Sequence, residues 1–349
     1  GSVSRDFTYV DTVLDILMTA MNEKVLTEGA VNLAFGNRIY LSDAIEMLRK
    51  YFPGLQVNYL SERLGDVKES QNAPELLNRI CPDEKGTFVN QGISLGMCRL
   101  AIVEIAAGKQ PSSDSSEKIH IVWNGEIYNY RELRSELKQR GVRFRDSSES
   151  EVIINLYLEF GLEFINKLNG MFAIAIHDSS SKSLHLIRDR MGKKPLWISQ
   201  LNDGTLFFAS EVRALMLARP DRTLRTDMVA EVMQYGYINA PLSAFNEINQ
   251  VPPASVLTWH EDKITTVKYW EPDFDIRIQI PYEEALEVTK KLIEEAVARR
   301  LISERPIGSF LSGGYDSTVI TAYMAKLLRN KVQTYSIGFH SPQFNEAHH

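Results

Sequence analysis

The sharpest chemistry in the chain lies in six consecutive residues, Ser312-Gly313-Gly314-Tyr315-Asp316-Ser317. Adjacent glycines let a backbone turn tightly and aim several N–H groups into one concavity, which suits an anion. A helix beginning behind such a turn adds partial positive charge. The hydroxyls of Ser312 and Ser317 can donate to phosphate oxygens, whereas Asp316 would repel a bare phosphate and calls for Mg2+ between them. The set therefore points to the phosphates of a nucleotide, with Mg2+ as the natural partner of Asp316. No G-x-x-x-x-G-K-[ST] pattern is present, so this is not the kinase-type phosphate loop. A plain alternative is a tight strand-to-helix turn in which Asp316 only caps the helix.

The elements around the six residues decide between these. An apolar strand from Ile307 to Leu311 precedes them, a helix from about Asp316 to Leu328 follows, and a second strand spans Val332 to Phe339. A strand-loop-helix-strand unit implies a parallel pair with a right-handed crossover. Ligands of open α/β sheets bind at the carboxyl ends of the strands. A long helix from about Tyr282 to Ile302 comes before the unit, with acids early and Arg299-Arg300 late, as the helix dipole favours.

Residues 83–225 read as alternating strands and two helices. Phe172, Ile174 and Ile176 alternate with Met171, Ala173 and Ala175, so both strand faces should be covered. A helix from about Tyr130 turns Leu133 and Leu137 inward and stops at Gly141, a C′ residue. The next begins after Ser148, directs Val152, Ile153, Leu156 and Phe160 at a core, and stops before Gly161. The stretch Ala107 to Lys118, rich in Ser, Gly and Pro, reads as an exposed loop. Asn124-Gly125 alone would be a hairpin turn signal.

From about Glu84 onward the order of motifs narrows the reading. Asn124-Gly125-Glu126-Ile127-Tyr128-Asn129, Leu168-Asn169-Gly170-Met171-Phe172-Ala173, Arg188-Asp189-Arg190 with Lys194-Pro195-Leu196, Phe208-Ala209-Ser210-Glu211 and Lys268-Tyr269-Trp270 lead into the phosphate loop. In this order they resemble the glutamine-dependent asparagine synthetase family, and the loop resembles that of the ATP pyrophosphatases. The resemblance implies a glutaminase domain that releases ammonia and a synthetase domain that activates aspartate as an acyl-adenylate. Leu311 and Ile337 would then line the adenine and ribose side of the ATP site. Arg99 would hold the glutamine carboxylate, a natural guanidinium task. The Asn124 amide and Gly125 N–H would supply oxyanion donors. Glu126 and Glu149 would accept from the substrate amino group, with Glu149 where the family usually carries aspartate.

Family glutaminases open on a cysteine whose own amino group is the base. Here Gly1 is first and Cys81 and Cys98 are internal. The expectation is no catalytic nucleophile and no glutaminase activity, with Cys98 a small buried side chain. The chain also ends at His349, short of the full synthetase domain that the resemblance implies.

Residues 1–82 carry other motifs: Ser4-Arg5-Asp6-Phe7-Thr8-Tyr9-Val10-Asp11, Asn32 to Gly36 with Ser42, and Arg63-Leu64-Gly65-Asp66-Val67. They resemble the C-terminal part of extended short-chain nucleotide-sugar epimerases and dehydratases. That resemblance gives Arg5, Arg63 and Asp66 a role in holding a nucleotide-sugar diphosphate. Neither a G-x-x-G-x-x-G turn nor a Tyr-x-x-x-Lys pair occurs in residues 1–82, so this piece would not catalyse redox epimerisation alone.

The expected architecture is α/β and α+β in three segments. Residues 1–82 form a small mixed α/β piece, 83–225 a partial N-terminal-nucleophile glutaminase sandwich, and 226–349 a truncated parallel α/β ATP-pyrophosphatase domain. A formal net charge of -6 with pI near 5.8 offers no basic stripe for nucleic acid or anionic lipid. No apolar run approaches the roughly 18 residues of a membrane span. Two cysteines make no disulfide framework, which suits a reducing cytoplasm. The expected partners are small molecules (ATP, glutamine or ammonia, aspartate), with a homodimer also open. Two other functions stay open: a non-catalytic chimeric fragment and a nucleotide-sugar binding module.

Overall fold

A computed structural model describes residues 4–5, 39–40, 84–90, 92–99, 108–275, 278–303, 306–328 and 331–338. The chain divides into two compact units, Asp83–Pro281 and Gly1–Pro82 with Tyr282–His349. Within the second, β1 (Ser4–Arg5) pairs antiparallel with β2 (Ile39–Tyr40). The helix expected after Ser42 lies outside the described residues, as do Arg63 and Asp66.

The unit Asp83–Pro281 is built on an antiparallel sheet. Its strands are β5 (Ser112–Ser113), β6 (Ile119–Ile127), β7 (Gly170–Asp178), β8 (Ser183–Arg188), β12 (Ser255–His260) and β13 (Lys263–Lys268). They run in the order β13-β12-β8-β7-β6-β5. Period-two alternation sorts the side chains to two faces, and both are buried over Phe172–Ile176, as the sequence pattern requires. On one face Trp123 donates from Nε1 to Ser150 Oγ (2.9 Å) of α2 (Glu149–Phe160), and Tyr157 of α2 lies 5.9 Å from the His185 ring. On the other, Val122, Ala173, Ala175, Leu184, Leu186 and Leu257 pack against a second layer. That layer comprises the hairpin β3 (Glu84–Asn90) and β4 (Ile93–Arg99), together with β9 (Trp197–Gln200), β10 (Leu206–Ala209) and β11 (Asn249–Gln250). Leu95 from β4 and Leu196 and Val251 beside β9 and β11 are buried in this contact. The layer holds β7 in place from the face opposite α2.

Local signals explain the two helices. In α1 (Tyr130–Gln139) Tyr130, Leu133 and Leu137 are buried. Gly141 adopts φ 90°, donates to Lys138 O at 3.0 Å, and lets Val142 N–H reach Leu137 O at 3.0 Å, a Schellman closure. Ser148 caps α2 by accepting from Glu151 N–H at 3.1 Å. Phe160 departs from expectation. It is half-buried, because the last turn of α2 reaches the surface, where its ring sits under Arg140 and Lys167.

Three further differences have physical causes. Gln110 and Asp114 are buried within the stretch expected to be an exposed loop. Gln110 Oε1 accepts from Trp123 N–H at 2.7 Å, and Asp114 accepts from the N–H groups of Ser116, Lys118 and Ile119. Cys98 is exposed rather than buried, because Ile93, Leu95 and Met97 take the core-facing positions of β4 and alternation turns Cys98 outward. Finally, β12 pairs with β8 from Val256↔Ile187 to His260↔Ser183, so this unit runs on to Pro281, past residue 225 where the sequence changes character.

Between β10 and β11 lie two short helices, α3 (Val212–Ala218) and α4 (Met228–Tyr235). In the other unit α5 (Tyr282–Arg299) precedes β14 (Gly308–Phe310), α6 (Tyr315–Leu328) and β15 (Gln333–Tyr335). β14 and β15 pair in parallel through Gly308↔Gln333, Ser309↔Thr334 and Phe310↔Tyr335, the connection the sequence implied. Thus the structure is mixed α/β: the sheets of Asp83–Pro281 are antiparallel, and the other unit holds the parallel pair β14–β15 and the antiparallel pair β1–β2.

Candidate functional site

Strand β6 ends in a distinctive edge. Gly125 lies opposite Phe172, and Phe172 spends its N–H on Asp189 Oδ2 (3.2 Å) and its carbonyl on Asp189 N–H (2.9 Å). Both main-chain groups of Phe172 therefore face β8, which makes Gly125↔Phe172 a pair that exchanges no hydrogen bonds. The N–H groups of Trp123, Gly125 and Ile127 then point away from β7. Gln110 Oε1 caps that of Trp123, and Glu149 Oε1 caps that of Ile127 at 3.2 Å. Between these two caps the Gly125 N–H has no partner among the described residues. β5 reaches only as far as Ile121. Among the described residues it is thus an open backbone donor, of the kind that can stabilise an oxyanion.

Glycine is required there. A Cβ on Gly125 would fall 2.0 Å from Met171 O and 2.7 Å from Phe172 Cα, at φ 153°. The Asn124-Gly125 pair therefore serves close strand approach, not a hairpin turn.

Glu126 follows on the same strand, opposite Met171 and half-buried. Removal from water pushes its carboxyl up to about 7, and the Lys194 ammonium acts against that rise. Glu149 is buried at the first position of α2 and turns its carboxylate onto Ile127 N–H, one residue beyond Glu126. The backbone of Arg99 ends β4 opposite Glu84. Asn124, Gly125 and Glu126 thus follow one another at the end of β6, and the Glu149 carboxylate meets the next residue, Ile127.

Two residues that the family motifs contain, but to which sequence reasoning gave no role, organise this end. Asp189 is 1% exposed and accepts from the N–H groups of Phe172, Met191, Lys193 and Lys194. Arg188 donates to the carbonyls of Gly192, Lys194 and Val251 and to Gln250 Oε1. Together they fix the 189–194 loop against β7. Tyr269 closes it from the far side, donating to Arg188 O at 2.9 Å, and Arg190 lies over the Trp270 ring. Motifs about eighty residues apart in sequence meet here, as the bond spanning 81 positions shows. Any buried polar group needs such partners, but sequence does not say which ones.

Other polar sets are structural. His185 bridges Ser183 Oγ and Thr258 Oγ1 at 3.0 Å each, and burial pushes it below the usual histidine range. No carboxylate orients that ring, so it lacks the arrangement of a nucleophile and its base. A cavity of about 370 Å³ at the β9–β10 turn, lined by Gln200, Leu201, Asn202, Asp203, Gly204 and Asp262, lies among surface turns, and none of those residues is among the predicted site residues.

The phosphate-loop residues sit together at the carboxyl ends of β14 and β15. Leu311 N–H donates to Tyr335 O at 2.9 Å, and Ser312 Oγ lies 3.2 Å from Ser317 Oγ. Ser317 Oγ donates to Gly314 O at 3.1 Å, and Thr318 N–H to the same carbonyl at 3.1 Å. Gly313 takes φ 87°. Asp316 is exposed in the first turn of α6, and Ile337 is 72% exposed just past β15. Hydroxyls, a left-handed glycine and a helix start form a donor set that fits a phosphate chain. Among the described residues no group of three His, Cys, Asp or Glu gathers. A Mg2+ ion here would rest on Asp316, with phosphate oxygens and water completing its shell.

No helix among the described residues is long and apolar enough to cross a membrane. A family model described as a glutamine amidotransferase domain matches residues 58–270, and one described as asparagine synthase matches residues 289–349. The first begins before residue 82, so Arg63 and Asp66 fall inside its range. Asparagine synthetase [glutamine-hydrolyzing] 1 of Bacillus subtilis is 34% identical over 267 residues, covering 76% of this chain and 42% of that protein. A putative asparagine synthetase of Methanocaldococcus jannaschii is 32% identical over 285 residues, covering 74% of this chain and 54% of the relative. The chain therefore spans about half the length of the curated relatives it matches. Among solved structures, a glutamine phosphoribosylpyrophosphate amidotransferase from B. subtilis is similar at TM-score 0.37 and 17% identity, covering 72% of this chain and 53% of that one. With one model matching more than half of the sequence and these relatives agreeing with it, the chain belongs to the asparagine synthetase-type glutamine amidotransferase family.

Proposed function

We propose that the chain holds two sites of a glutamine-dependent, ATP-dependent amide synthesis. The open Gly125 N–H, left between two capped neighbours on β6, supports the glutamine site most directly. Arg99 would take the substrate carboxylate, Glu126 its amino group, and the Asn124 amide with Gly125 N–H the oxyanion of the hydrolysed amide. Glu149 would shape the site through Ile127 rather than touch glutamine, since its carboxylate is already bound to the main chain. We assign the nucleophile to no residue described here.

At the second site Leu311, Ser312, Gly313, Gly314, Asp316, Ser317 and Ile337 would bind ATP with Mg2+. An aspartate carboxylate oxygen attacks the α-phosphorus and pyrophosphate leaves. Ammonia then attacks the acyl carbon of the mixed anhydride and AMP leaves with the carboxylate oxygen. The loop residues hold and orient the phosphates for the first step. A cytoplasmic setting and a homodimer belong to the same proposal.

Two titrations test it. Glutamine should perturb the amide resonances of Gly125 and Glu126 in the wild type and not in Glu126→Ala. ATP with Mg2+ should bind the wild type and be weakened at least about tenfold in Ser317→Ala, the loss of about one charge-assisted hydrogen bond. Aspartate-dependent exchange of pyrophosphate into ATP would extend the result to the acyl-adenylate. Failure of both ligands to bind overturns the proposal. Residues 1–82 resemble a nucleotide-sugar epimerase at Arg5, Arg63 and Asp66, and a thermal shift with UDP- or dTDP-sugars tests that second role.

A further inference from the structure

Two side chains set the length of β5. Ser112 and Ser113 pair with Ile121 and His120 of β6. The N–H groups of Ile121, Trp123 and Gly125 share one direction, away from β7, so Ser112↔Ile121 is a pair that exchanges main-chain hydrogen bonds. In an antiparallel ladder every second pair does so. Continued toward the start of the chain, this register would set Gln110 opposite Trp123 and Gly108 opposite Gly125. The Gly108 carbonyl would then take the Gly125 N–H.

The strand ends before that point. At Trp123 the acceptor is the Gln110 side chain: Oε1 receives the N–H at 2.7 Å, where the register calls for the Gln110 carbonyl. That carbonyl faces β3 instead, since a Cβ on Gly86 would fall 1.9 Å from it. Lys109 O accepts from Ser112 Oγ at 2.5 Å, across a bend at Gln110. The far end of β5 closes in a similar manner. Asp114 Oδ1 accepts from Ile119 N–H at 2.8 Å, while Asp114 O accepts from Glu117 N–H at 3.2 Å. At each end a side chain stands in for its own carbonyl.

We propose that Gln110 is a positioning residue for the oxyanion donor: by capping Trp123 it ends β5 and keeps the Gly125 N–H unpaired. The inference rests on the reading of Gly125 N–H as a donor to the glutamine oxyanion. A backbone N–H carries one hydrogen, so a donor spent on a neighbouring strand is lost to the substrate. Trp123 is buried, and a buried N–H left without an acceptor is costly. The Gln110 cap meets that demand without bringing a strand alongside Gly125. Gln110 is itself buried, which holds its amide in place.

The experiment measures amide hydrogen exchange at Trp123, Gly125 and Ile127 in the full chain, together with glutamine affinity. In the wild type Gly125 should exchange at least about tenfold faster than its two capped neighbours. Gln110→Met keeps the length of the side chain and removes the acceptor. The Trp123 N–H then draws in the main-chain carbonyl at position 110, β5 runs on, and Gly125 exchange should slow at least about tenfold. Glutamine affinity should fall several-fold in the same variant. Gln110→Glu restores an acceptor, and both readouts should return toward wild type. Loss of a merely structural contact would quicken all three amides, so slowing at Gly125 separates the two roles. Gln110→Asn, one methylene shorter, replaces Gln110→Met if the latter does not fold. Gly125 exchange as slow as its neighbours in the wild type, or still fast in a folded variant without the cap, overturns the proposal. Slowed Gly125 exchange with glutamine bound to no form of the chain leaves Gln110 in its role and removes the oxyanion reading of Gly125 instead.

Discussion

The end of β6 and the Ser312–Ser317 loop, the two sites proposed to bind an anion, are built in opposite ways. At β6 each donor direction is fixed by buried neighbours: the Phe172–Asp189 exchange, the Gln110 and Glu149 caps, and a glycine with no space for a Cβ. The phosphate loop is held by local bonds among Ser312, Gly314, Ser317 and Thr318, and its neighbours Tyr315 and Asp316 are exposed. A donor aimed at one small oxyanion needs a rigid surround. A loop that wraps a chain of phosphates can draw its order from the ligand. The contrast predicts a rigid β6 end, defined by tertiary contacts, and a phosphate loop that is ordered mainly by local bonds.

Substitutions at the two sites should therefore differ in size. Gly125→Ala has the largest expected effect. Its methyl would fall 2.0 Å from Met171 O, an atom of a central strand that cannot move without disturbing β7 and β8. A loss of about 4 kcal/mol or more is expected, read as a lower urea midpoint for the Asp83–Pro281 unit. An unchanged midpoint would mean that β6 and β7 separate freely, and the contrast in rigidity would disappear.

Asp189→Asn comes next. The replacement turns an amide donor toward main-chain N–H groups that now share one charged acceptor. A cost of about 3 kcal/mol is expected. Hydrogen exchange should quicken first at the amides of Met191, Lys193 and Lys194, while the α6 amides stay as they were.

Glu126→Gln should give a smaller effect that depends on pH. The folded carboxyl lies near 7, above its ordinary value of 4.5. A folded value above the unfolded one adds stability below about pH 4.5, and that stability is lost as pH rises through about 7. The glutamine variant does not ionise, so it should gain on the wild type over that window. After allowance for half-burial, the gain should level off at about 2 kcal/mol. Urea denaturation across the range checks the sign, and a variant that loses ground as pH rises would show that Glu126 is stabilised as the anion.

What could be read in the sequence followed the range of each interaction. The Ser148 cap, the Gly141 stop and the parallel pairing around the phosphate loop are local, and each formed where residue types placed it. Cys98 and Phe160 were misplaced because alternation on a hairpin and the depth of a helix end depend on what packs above them. Gln110 and Asp114 looked like loop residues by type, but they hold buried main-chain N–H groups from elsewhere. Pairing of β12 with β8 carried the antiparallel unit past the change in sequence character, and strand order is a long-range property. Asp189 and Arg188 stood in a family motif, yet only the fold shows that they clamp one loop against β7.

The smallest effect should come from Gly314→Ala. A Cβ there meets only Ser312 Oγ, at 3.6 Å, an ordinary contact. Gly314 precedes α6, where alanine is a poorer cap than glycine, so a cost of up to about 1 kcal/mol is expected. The methyl would nonetheless project from a loop whose proposed task is close approach to phosphate. Binding of ATP with Mg2+ should then fall about tenfold or more while the urea midpoint hardly moves. At Gly125 the same exchange should remove fold and ligand together. If Gly314→Ala instead unfolded its unit, the loop would be a packed element, and the two sites would share one construction.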